Sequence, residues 1–204
     1  MNNKQYKLVA YGISKKFNRT FLFEGIDAAI ETGGSLCVTG PNGSGKSTLL
    51  KILAGLKSPT KGEVAYSAGA DIDRSEWLDQ IGYTGPLVNP YEDLTAWENI
   101  RFALKRGDEN STNSLIQKFE LSEHANKKVK YYSTGMKQRL RIIIAVLNDP
   151  PVLILDEPGT NLDAAGREVL YGYLDSVRNE KIIILATNDP AEEKLCGGVV
   201  RLGR

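Results

Sequence analysis

A glycine-rich segment between an apolar run and a helix-forming run constrains the fold more than any other feature of this chain. Residues 40–48 read G-P-N-G-S-G-K-S-T and match the pattern G-x-x-x-x-G-K-[ST]. Glycines at these positions let successive backbone N–H groups turn toward one centre and approach phosphate oxygens closely. The pattern therefore predicts a phosphate-binding loop that joins a buried strand, residues 35–39, to a helix over residues 48–56.

The side chains of this loop add the chemistry of a nucleotide site. Lys46 brings a positive charge to the outer phosphates, and the Ser47 hydroxyl can ligate Mg²⁺. The start of the following helix adds the positive end of its dipole. A glycine-rich turn with a chance lysine is the alternative interpretation, but it does not explain the placement between a strand and a helix. The predicted nucleotide-binding positions of the loop are Gly40, Pro41, Asn42, Gly43, Ser44, Gly45, Lys46, Ser47 and Thr48.

An apolar run that ends in two carboxylates is the second informative feature. Residues 152–155 are Val-Leu-Ile-Leu, and Asp156 and Glu157 follow them. Ligands of open parallel sheets bind beyond the carboxyl ends of the strands. We therefore expect Asp156 to hold Mg²⁺ or its water, and Glu157 to accept a proton from an attacking water. An acidic pair that merely caps the strand end is the alternative.

Composition excludes several other classes of protein. The net charge of +1 gives no argument for a nucleic-acid surface, so no nucleic-acid partner is expected. The N-terminal residues lack the apolar core of a signal peptide. The longest apolar runs are far shorter than the ~20 residues that span a bilayer, so if this protein serves a membrane, another chain must provide the spanning part. The sequence contains neither a CxxC pair nor a cluster of His and Cys residues, so it does not indicate a zinc site.

The order of apolar strands and helical segments predicts an α/β fold with a P-loop NTPase core. Apolar strands that alternate with helices indicate a mainly parallel sheet with helices on both faces. Stretches typical of β-structure in the first thirty-odd residues predict a small antiparallel β lobe. A mostly helical block interrupts the alternation, and we interpret residues 86–149 as an inserted helical subdomain. We expect a single domain over residues 1–204.

These features resemble the ATP-binding cassette (ABC) family, and the resemblance covers nearly the whole chain. Residues 132–136, Y-S-T-G-M, resemble the LSGGQ-type signature of that family. The segment departs from it at three of the five positions, while Ser133 and Gly135 match. Residues 161–163 resemble the family's D-loop, and residues 94–99 resemble the segment that follows its Q-loop. Phe17 matches the aromatic residue that stacks on adenine in this family.

The resemblance implies two subunits that face each other head to tail. Each ATP would lie between the phosphate loop of one subunit and the signature of the other. Ser133 and the Gly135 backbone N–H would then bind the γ-phosphate of the ATP held by the opposite subunit. A helix N-terminus that carries a hydroxyl and a free N–H is an anion site on physical grounds. A plain helix N-cap at Ser133 is the alternative.

Two positions depart from the family pattern. The Q-loop glutamine of the family falls near Pro86, which can neither ligate Mg²⁺ nor orient a water, and no spacing argument secures the nearby Asn89 as a substitute. Asn188 stands where the family usually has histidine. It can donate an amide hydrogen bond to a γ-phosphate but cannot carry a proton. We therefore expect normal binding of ATP and Mg²⁺ with slow turnover, and catalytic roles for Glu157, Lys46 and Asn188.

The resemblance implies an ATPase subunit of an ABC transporter that couples ATP-driven dimerisation to substrate movement. A separate transmembrane permease and a homodimer or heterodimer of ABC subunits are the expected partners, at the cytoplasmic inner face of the cell membrane. The short chain and the signature variant favour an exporter-type subunit, similar in size to the haem-exporter ATPase of cytochrome c maturation. A soluble ABC ATPase with a non-transport role and a regulatory cassette with weak hydrolysis are the alternatives.

Overall fold

A computed structural model describes residues 4–86, 88–105 and 109–203 of the chain. Positions 1–3, 87, 106–108 and 204 of the predicted domain lie outside the described residues, and two of these gaps fall within the predicted insert at 86–149. The strands are, in chain order, β1 (Tyr6–Phe17), β2 (Thr20–Glu31), β3 (Ser35–Thr39), β4 (Lys61–Ala68), β5 (Asp71–Ile72), β6 (Ile81–Thr84), β7 (Val152–Asp156), β8 (Ile182–Ala186) and β9 (Gly198–Arg201). The helices are α1 (Lys46–Leu53), α2 (Arg74–Leu78), α3 (Ala96–Ala103), α4 (Glu109–Lys118), α5 (Thr134–Val146), α6 (Ala164–Val177) and α7 (Pro190–Glu193).

A parallel sheet with the strand order β6-β7-β8-β3-β9 forms the centre of the fold. Every residue of β7 and β8 is buried. Alternate residues of β7 and β8 belong to two different apolar clusters, because successive side chains of a strand point to opposite faces. One cluster contains residues of α5 and α6, and the other contains α1 and the N-terminal strands. The predicted parallel sheet that is covered on both faces is confirmed.

An antiparallel sheet with the order β2-β1-β4-β5 packs on the α1 side of the core. β1 and β2 form a hairpin whose register shifts between Ala10 and Lys16. Leu8 and Ile13 of β1 are fully buried in the same apolar cluster as Leu49 of α1. The predicted antiparallel lobe is therefore present, and β4 and β5 extend it beyond the first thirty residues through pairing that is distant in sequence.

The block between β6 and β7 is helical, as the sequence predicts, and its helix starts follow local capping chemistry. Thr95 and Glu98 form a capping box at α3, in which each side chain accepts a hydrogen bond from the other residue's backbone N–H. Ser133 caps α5. Leu140 of α5 is fully buried in a cluster that also contains residues of β7 and α6. The description of residues 86–149 as an inserted subdomain stays a prediction.

Within residues 4–86, 88–105 and 109–203, no helix is both long enough and apolar enough to cross a membrane.

Candidate nucleotide-binding and hydrolysis site

The ends of four parallel strands bring the predicted site residues to one edge of the sheet. The phosphate loop follows β3, Asp156 ends β7, Asn188 follows β8, and Pro86 follows β6. β8 lies between β3 and β7, so its carboxyl end is flanked by the loop and by the acidic pair. The Asn188 amide nitrogen donates a hydrogen bond to the Asn42 side-chain oxygen at 3.1 Å. The structure thus places Asn188 in contact with the phosphate loop.

The backbone of the phosphate loop is built for close approach of a ligand. Gly45 is the N-cap of α1 and has φ 102°, a left-handed conformation that strains any residue with a side chain. A Cβ atom at this position would lie 2.6 Å from the Leu22 side chain. No side chain caps the first N–H groups of α1. These donors are therefore free to bind an anion at the helix N-terminus.

The Lys46 side chain lies across the loop that precedes it. Its ammonium donates to the Gly40 carbonyl at 2.7 Å and to the Pro41 carbonyl at 3.4 Å, and the residue is 5% exposed. The Ser44 hydroxyl is buried and has no hydrogen-bond partner among the described residues. A buried hydroxyl without a partner is costly, and a phosphate oxygen can satisfy it. The loop thus combines a positioned cation with an unsatisfied polar group.

Ser47 and Asp156 share a cavity of about 440 Å³ beside the loop, which Lys51, Tyr83 and Pro86 also line. Asp156 is 2% exposed, and neither of its carboxylate oxygens accepts a hydrogen bond from the described residues. Burial raises the pKa of Asp156, and the Ser47 side chain opposes this effect. Carboxylate and hydroxyl oxygens are the ligands that Mg²⁺ prefers. The unpartnered carboxylate beside Ser47 therefore fits a magnesium ion.

Glu157 occupies the turn immediately after β7. Its backbone has φ 51°, an uncommon value for a residue with a side chain, and its N–H donates to the Ala186 carbonyl at 2.8 Å. Gln138 of α5 holds the same turn, because its side-chain amide donates to the Pro158 carbonyl at 2.9 Å. The turn ends the strand and sets the half-buried Glu157 next to the buried Asp156.

The signature segment and residues 161–163 are assembled against each other within this chain. The exposed Ser133 hydroxyl accepts the Met136 N–H at 3.2 Å, so the helix-capping interpretation is realised here. A Cβ atom at Gly135 would lie 2.9 Å from the Asn161 carbonyl oxygen, which explains glycine at this position. Asp163 caps α6 and also pairs with Arg139 of α5 at 2.9 Å. The start of α5 therefore has a defined position relative to the acidic turn.

Phe17 lies at the end of β1 with an accessible ring. The residue is 46% exposed, and the Lys57 and Lys15 ammonium groups lie 4.8 Å and 5.7 Å from the ring centroid. An exposed aromatic ring next to two cations suits a flat ligand that carries hydrogen-bond acceptors. The contact of Phe17 with adenine stays a prediction.

Comparisons with known proteins assign the family. A family model described as "ABC transporter" matches residues 23–160. This chain belongs to the ABC transporter family. It is 33% identical over 178 residues to the lantibiotic transport ATP-binding protein SrtF of Streptococcus pyogenes, covering 86% of this chain and 77% of SrtF. It is also 33% identical over 200 residues to the spermidine/putrescine import ATP-binding protein PotA of Fusobacterium nucleatum, covering 94% of this chain and 53% of PotA.

Solved structures of ABC cassettes agree with this assignment. The ATP-binding cassette MJ0796, in a dimeric post-hydrolysis state with ADP and Pi, superposes with a TM-score of 0.84 at 25% identity, covering 96% of this chain and 94% of that one. The predicted P-loop NTPase fold is confirmed. The relatives also support an ATP-binding subunit of an ABC transporter over a cassette with a non-transport role. The chain is an ATPase of this family.

The structure of this ABC subunit adds site residues that sequence reasoning missed. Glu192 of α7 is 2% exposed, and it accepts the Gly159 N–H at 2.9 Å, which anchors the loop after Glu157. Tyr83 of β6 has a buried hydroxyl in the cavity of Asp156. Burial, and secondarily the Asp156 carboxylate, raises the pKa of Tyr83 above its usual range. The short strand-forming run I-G-Y-T at residues 81–84 was a sequence signal that could have pointed to Tyr83, whereas the polar run around Glu192 carried none.

Asn89, the substitute considered for the missing glutamine, lies elsewhere. Its side-chain oxygen accepts a hydrogen bond from the Arg141 guanidinium, whose Nε also donates to the Val88 carbonyl at 2.9 Å. Asn89 lines a separate groove with Phe102 and Arg141, and it is absent from the lining of the cavity that holds Ser47. Of Pro86 and Asn89, Pro86 is therefore the one that lines the cavity of Ser47 and Asp156.

Proposed function

We propose that this chain is the ATP-hydrolysing subunit that drives a separate membrane-spanning permease from the cytoplasmic face of the cell membrane. The observation that carries the proposal is the meeting of the phosphate loop with the unpartnered Asp156 carboxylate at one sheet edge. Two such subunits, identical or different, would close on ATP and separate after hydrolysis. The transport roles in the names of its relatives support this role for the chain.

The residues of the site suit the transfer of a phosphoryl group to water. Lys46 and the N-terminus of α1 bind the β- and γ-phosphates, and Ser47 and Asp156 hold Mg²⁺. Magnesium, when bound, neutralises negative charge on the phosphates. Glu157 accepts a proton from the water that attacks the γ-phosphorus, and the bond from that phosphorus to the bridging oxygen breaks, so that ADP leaves. Asn188 donates an amide hydrogen bond toward the γ-phosphate.

The opposite subunit completes each site in this proposal. Ser133 and the Gly135 N–H, at the start of α5, bind the γ-phosphate of the ATP held by the other copy, while Phe17 stacks on the adenine of its own copy. The exposure of Ser133 and the dimeric form of MJ0796 support this arrangement. The hydroxyl that caps α5 in the isolated chain would turn to the phosphate when two subunits meet.

An apolar groove on the surface of the helical block is evidence for a partner that presents a helical segment. The groove has a volume of about 290 Å³, and Tyr91 and Phe102 lie on it in edge-to-face contact at 5.3 Å. Phe102 is 73% exposed and Tyr91 is 57% exposed. Exposed aromatic side chains around a groove are typical of surfaces that bind an amphipathic helix. We propose that a helical segment of the permease docks in this groove.

Two finer proposals concern the rate of ATP hydrolysis and the direction of transport. Pro86 and Asn188 replace groups that sense the γ-phosphate, so turnover of the isolated chain should be slow. The signature variant Y-S-T-G-M followed by Lys137-Gln138-Arg139 supports export, because such variants occur among export-type members of the family.

ATP turnover of the purified chain with Mg²⁺ tests the proposal. We expect a rate below the ~10 s⁻¹ median of enzymes, lost in Glu157→Gln, with ATP binding retained. Glu168→Gln, an exposed glutamate of α6, is the matched control and should keep the wild-type rate. Turnover that survives Glu157→Gln would refute the role of Glu157, and tens of turnovers per second without a partner would refute slow turnover. Affinity purification from membranes should recover a multi-span hydrophobic protein, whereas recovery of soluble assembly proteins alone would contradict the transport role.

A further inference from the structure

Tyr83 carries a polar group that the known motifs leave without a role. It is the third residue of β6, and its hydroxyl oxygen is buried without a hydrogen-bond partner in the described part of the chain. Buried polar groups almost always have a partner, so an orphaned hydroxyl requires an explanation. The ring lines the cavity that also contains Ser47 and Asp156. The hydroxyl therefore belongs to a side chain of this cavity and lacks the partner that a buried polar group needs.

The Tyr83 hydroxyl and the Asp156 carboxylate lie on the same side of Gly85. A Cβ atom at Gly85 would be 3.1 Å from the Tyr83 hydroxyl oxygen and 3.3 Å from Asp156 Oδ2. Both oxygen atoms therefore pack closely around Gly85, where a Cβ atom would be crowded. Neither Asp156 oxygen accepts a hydrogen bond from described residues, so the Tyr83 hydroxyl and both carboxylate oxygens are buried without partners. A water molecule that enters with the metal ion and ATP needs two to four polar partners, and these atoms can supply them.

Among the described residues that line the cavity, Tyr83 is the polar side chain on the β6 side. Pro86 has no side-chain donor or acceptor, Val88 is apolar, and Asn89 is held by Arg141 in a separate groove. The remaining polar residues, Ser47 and Lys51, come from α1. Tyr83 is therefore the described side chain on the β6 side that can donate a hydrogen bond into the site.

We propose that Tyr83 is a positioning residue whose hydroxyl donates a hydrogen bond to a water molecule held beside Asp156 in the metal–nucleotide site. At this edge of the sheet Tyr83 orients the water molecule, which Pro86 cannot do because its side chain has no hydrogen-bond donor or acceptor. This inference rests on the proposed function, because it requires that Asp156 and Ser47 hold a divalent cation with ATP. The phenol acts through water and through Asp156, and it does not touch the phosphorus.

Tyr83→Phe removes the hydroxyl and keeps the ring, so it isolates this role. The first readout is binding of Mn²⁺, as a probe for Mg²⁺, to the chain with ATP, measured by electron paramagnetic resonance. We expect an approximately tenfold weaker Mn²⁺ affinity, since one hydrogen bond in a charged site is lost. ATP affinity in EDTA should not change, because the phosphate loop is intact. Turnover at saturating ATP should fall by a similar factor, with little change in KM for ATP.

Two further variants make the outcome specific. Tyr66→Phe removes a buried phenol that bonds the Ile52 carbonyl at 3.4 Å outside this cavity, and it should leave Mn²⁺ affinity unchanged. Pro86→Gln in the Tyr83→Phe background should restore Mn²⁺ affinity, because it supplies a polar side chain at the same edge. If Pro86→Gln does not restore Mn²⁺ affinity, Tyr83 does not replace the polar side chain missing at position 86, and the proposal is overturned.

Other outcomes separate this inference from the proposed function. Wild-type Mn²⁺ affinity in Tyr83→Phe, with normal ATP-dependent metal binding, would overturn the role of Tyr83 alone. An equal loss in Tyr66→Phe would also overturn it, since the effect would then be a general result of removing a buried phenol. A wild-type chain that binds neither ATP nor Mn²⁺ would overturn both proposals.

Discussion

Gln138 offers a direct test of how the signature helix supports the acidic turn. The residue is 6% exposed, and its side-chain amide donates to the buried Pro158 carbonyl at 2.9 Å and, over 3.5 Å, to the Glu157 carbonyl. Its side-chain oxygen accepts a hydrogen bond from Arg141 at 3.2 Å. Gln138→Met nearly preserves the volume of the side chain but removes these polar contacts.

The expected loss of stability follows from the Pro158 carbonyl, which would lose its hydrogen-bond donor. The Pro158 carbonyl would become a buried acceptor without its donor, which costs about 1–3 kcal/mol. We expect the free energy of unfolding to fall by about 2 kcal/mol, which in a chain of this length corresponds to about 4–8 °C in Tm. The turn that carries Glu157 would also lose its anchor to α5. The ATPase rate should therefore fall at a temperature where the variant is still folded.

Urea unfolding and ATP turnover at 25 °C measure the two effects. Gln117→Met is the matched control, because Gln117 is an exposed residue of α4, and it should shift neither quantity. An unfolding free energy of Gln138→Met within about 0.5 kcal/mol of the control would refute the reasoning about the orphaned carbonyl. A lowered stability with a wild-type turnover rate would refute the link between α5 and Glu157.

Two further predictions concern Glu192 and Gly135. Burial raises the pKa of Glu192 above 4.5, so the wild-type protein should lose stability as the pH rises from about 4.5 through that raised pKa. Glu192→Gln does not titrate and keeps an acceptor for the Gly159 N–H, so in urea titrations its stability should rise relative to that of the wild type as the pH increases above about 4.5. A stability difference that does not grow with pH would contradict this. Gly135→Ala places a Cβ atom 2.9 Å from the Asn161 carbonyl oxygen and should cost about 1–3 kcal/mol in the same assay. The control is Gly172→Ala in α6, where a Cβ atom would meet open space. This substitution should stabilise the helix by about 0.5–1 kcal/mol. Equal effects of the two substitutions would refute the close contact between Gly135 and the Asn161 carbonyl.

The sequence by itself determined the parts of the protein that depend on contiguous residues. The phosphate loop and the apolar strand that ends in Asp156 are local patterns, because the residues next to them specify where a strand ends and how the backbone turns. These patterns, with the alternation of strands and helices, were sufficient to predict the α/β fold and the sheet edge at which the candidate site residues lie.

Only the tertiary structure decided which distant residues meet at that edge. The order β6-β7-β8-β3-β9 brings Tyr83 beside Asp156, and α7 brings the Glu192 carboxylate to the Gly159 N–H across 33 positions of sequence. The same packing brings Asn89 to Arg141, outside the cavity that Ser47 and Asp156 line. Strand order and helix packing arise from the summed burial of the whole core, so no local pattern specifies these pairings.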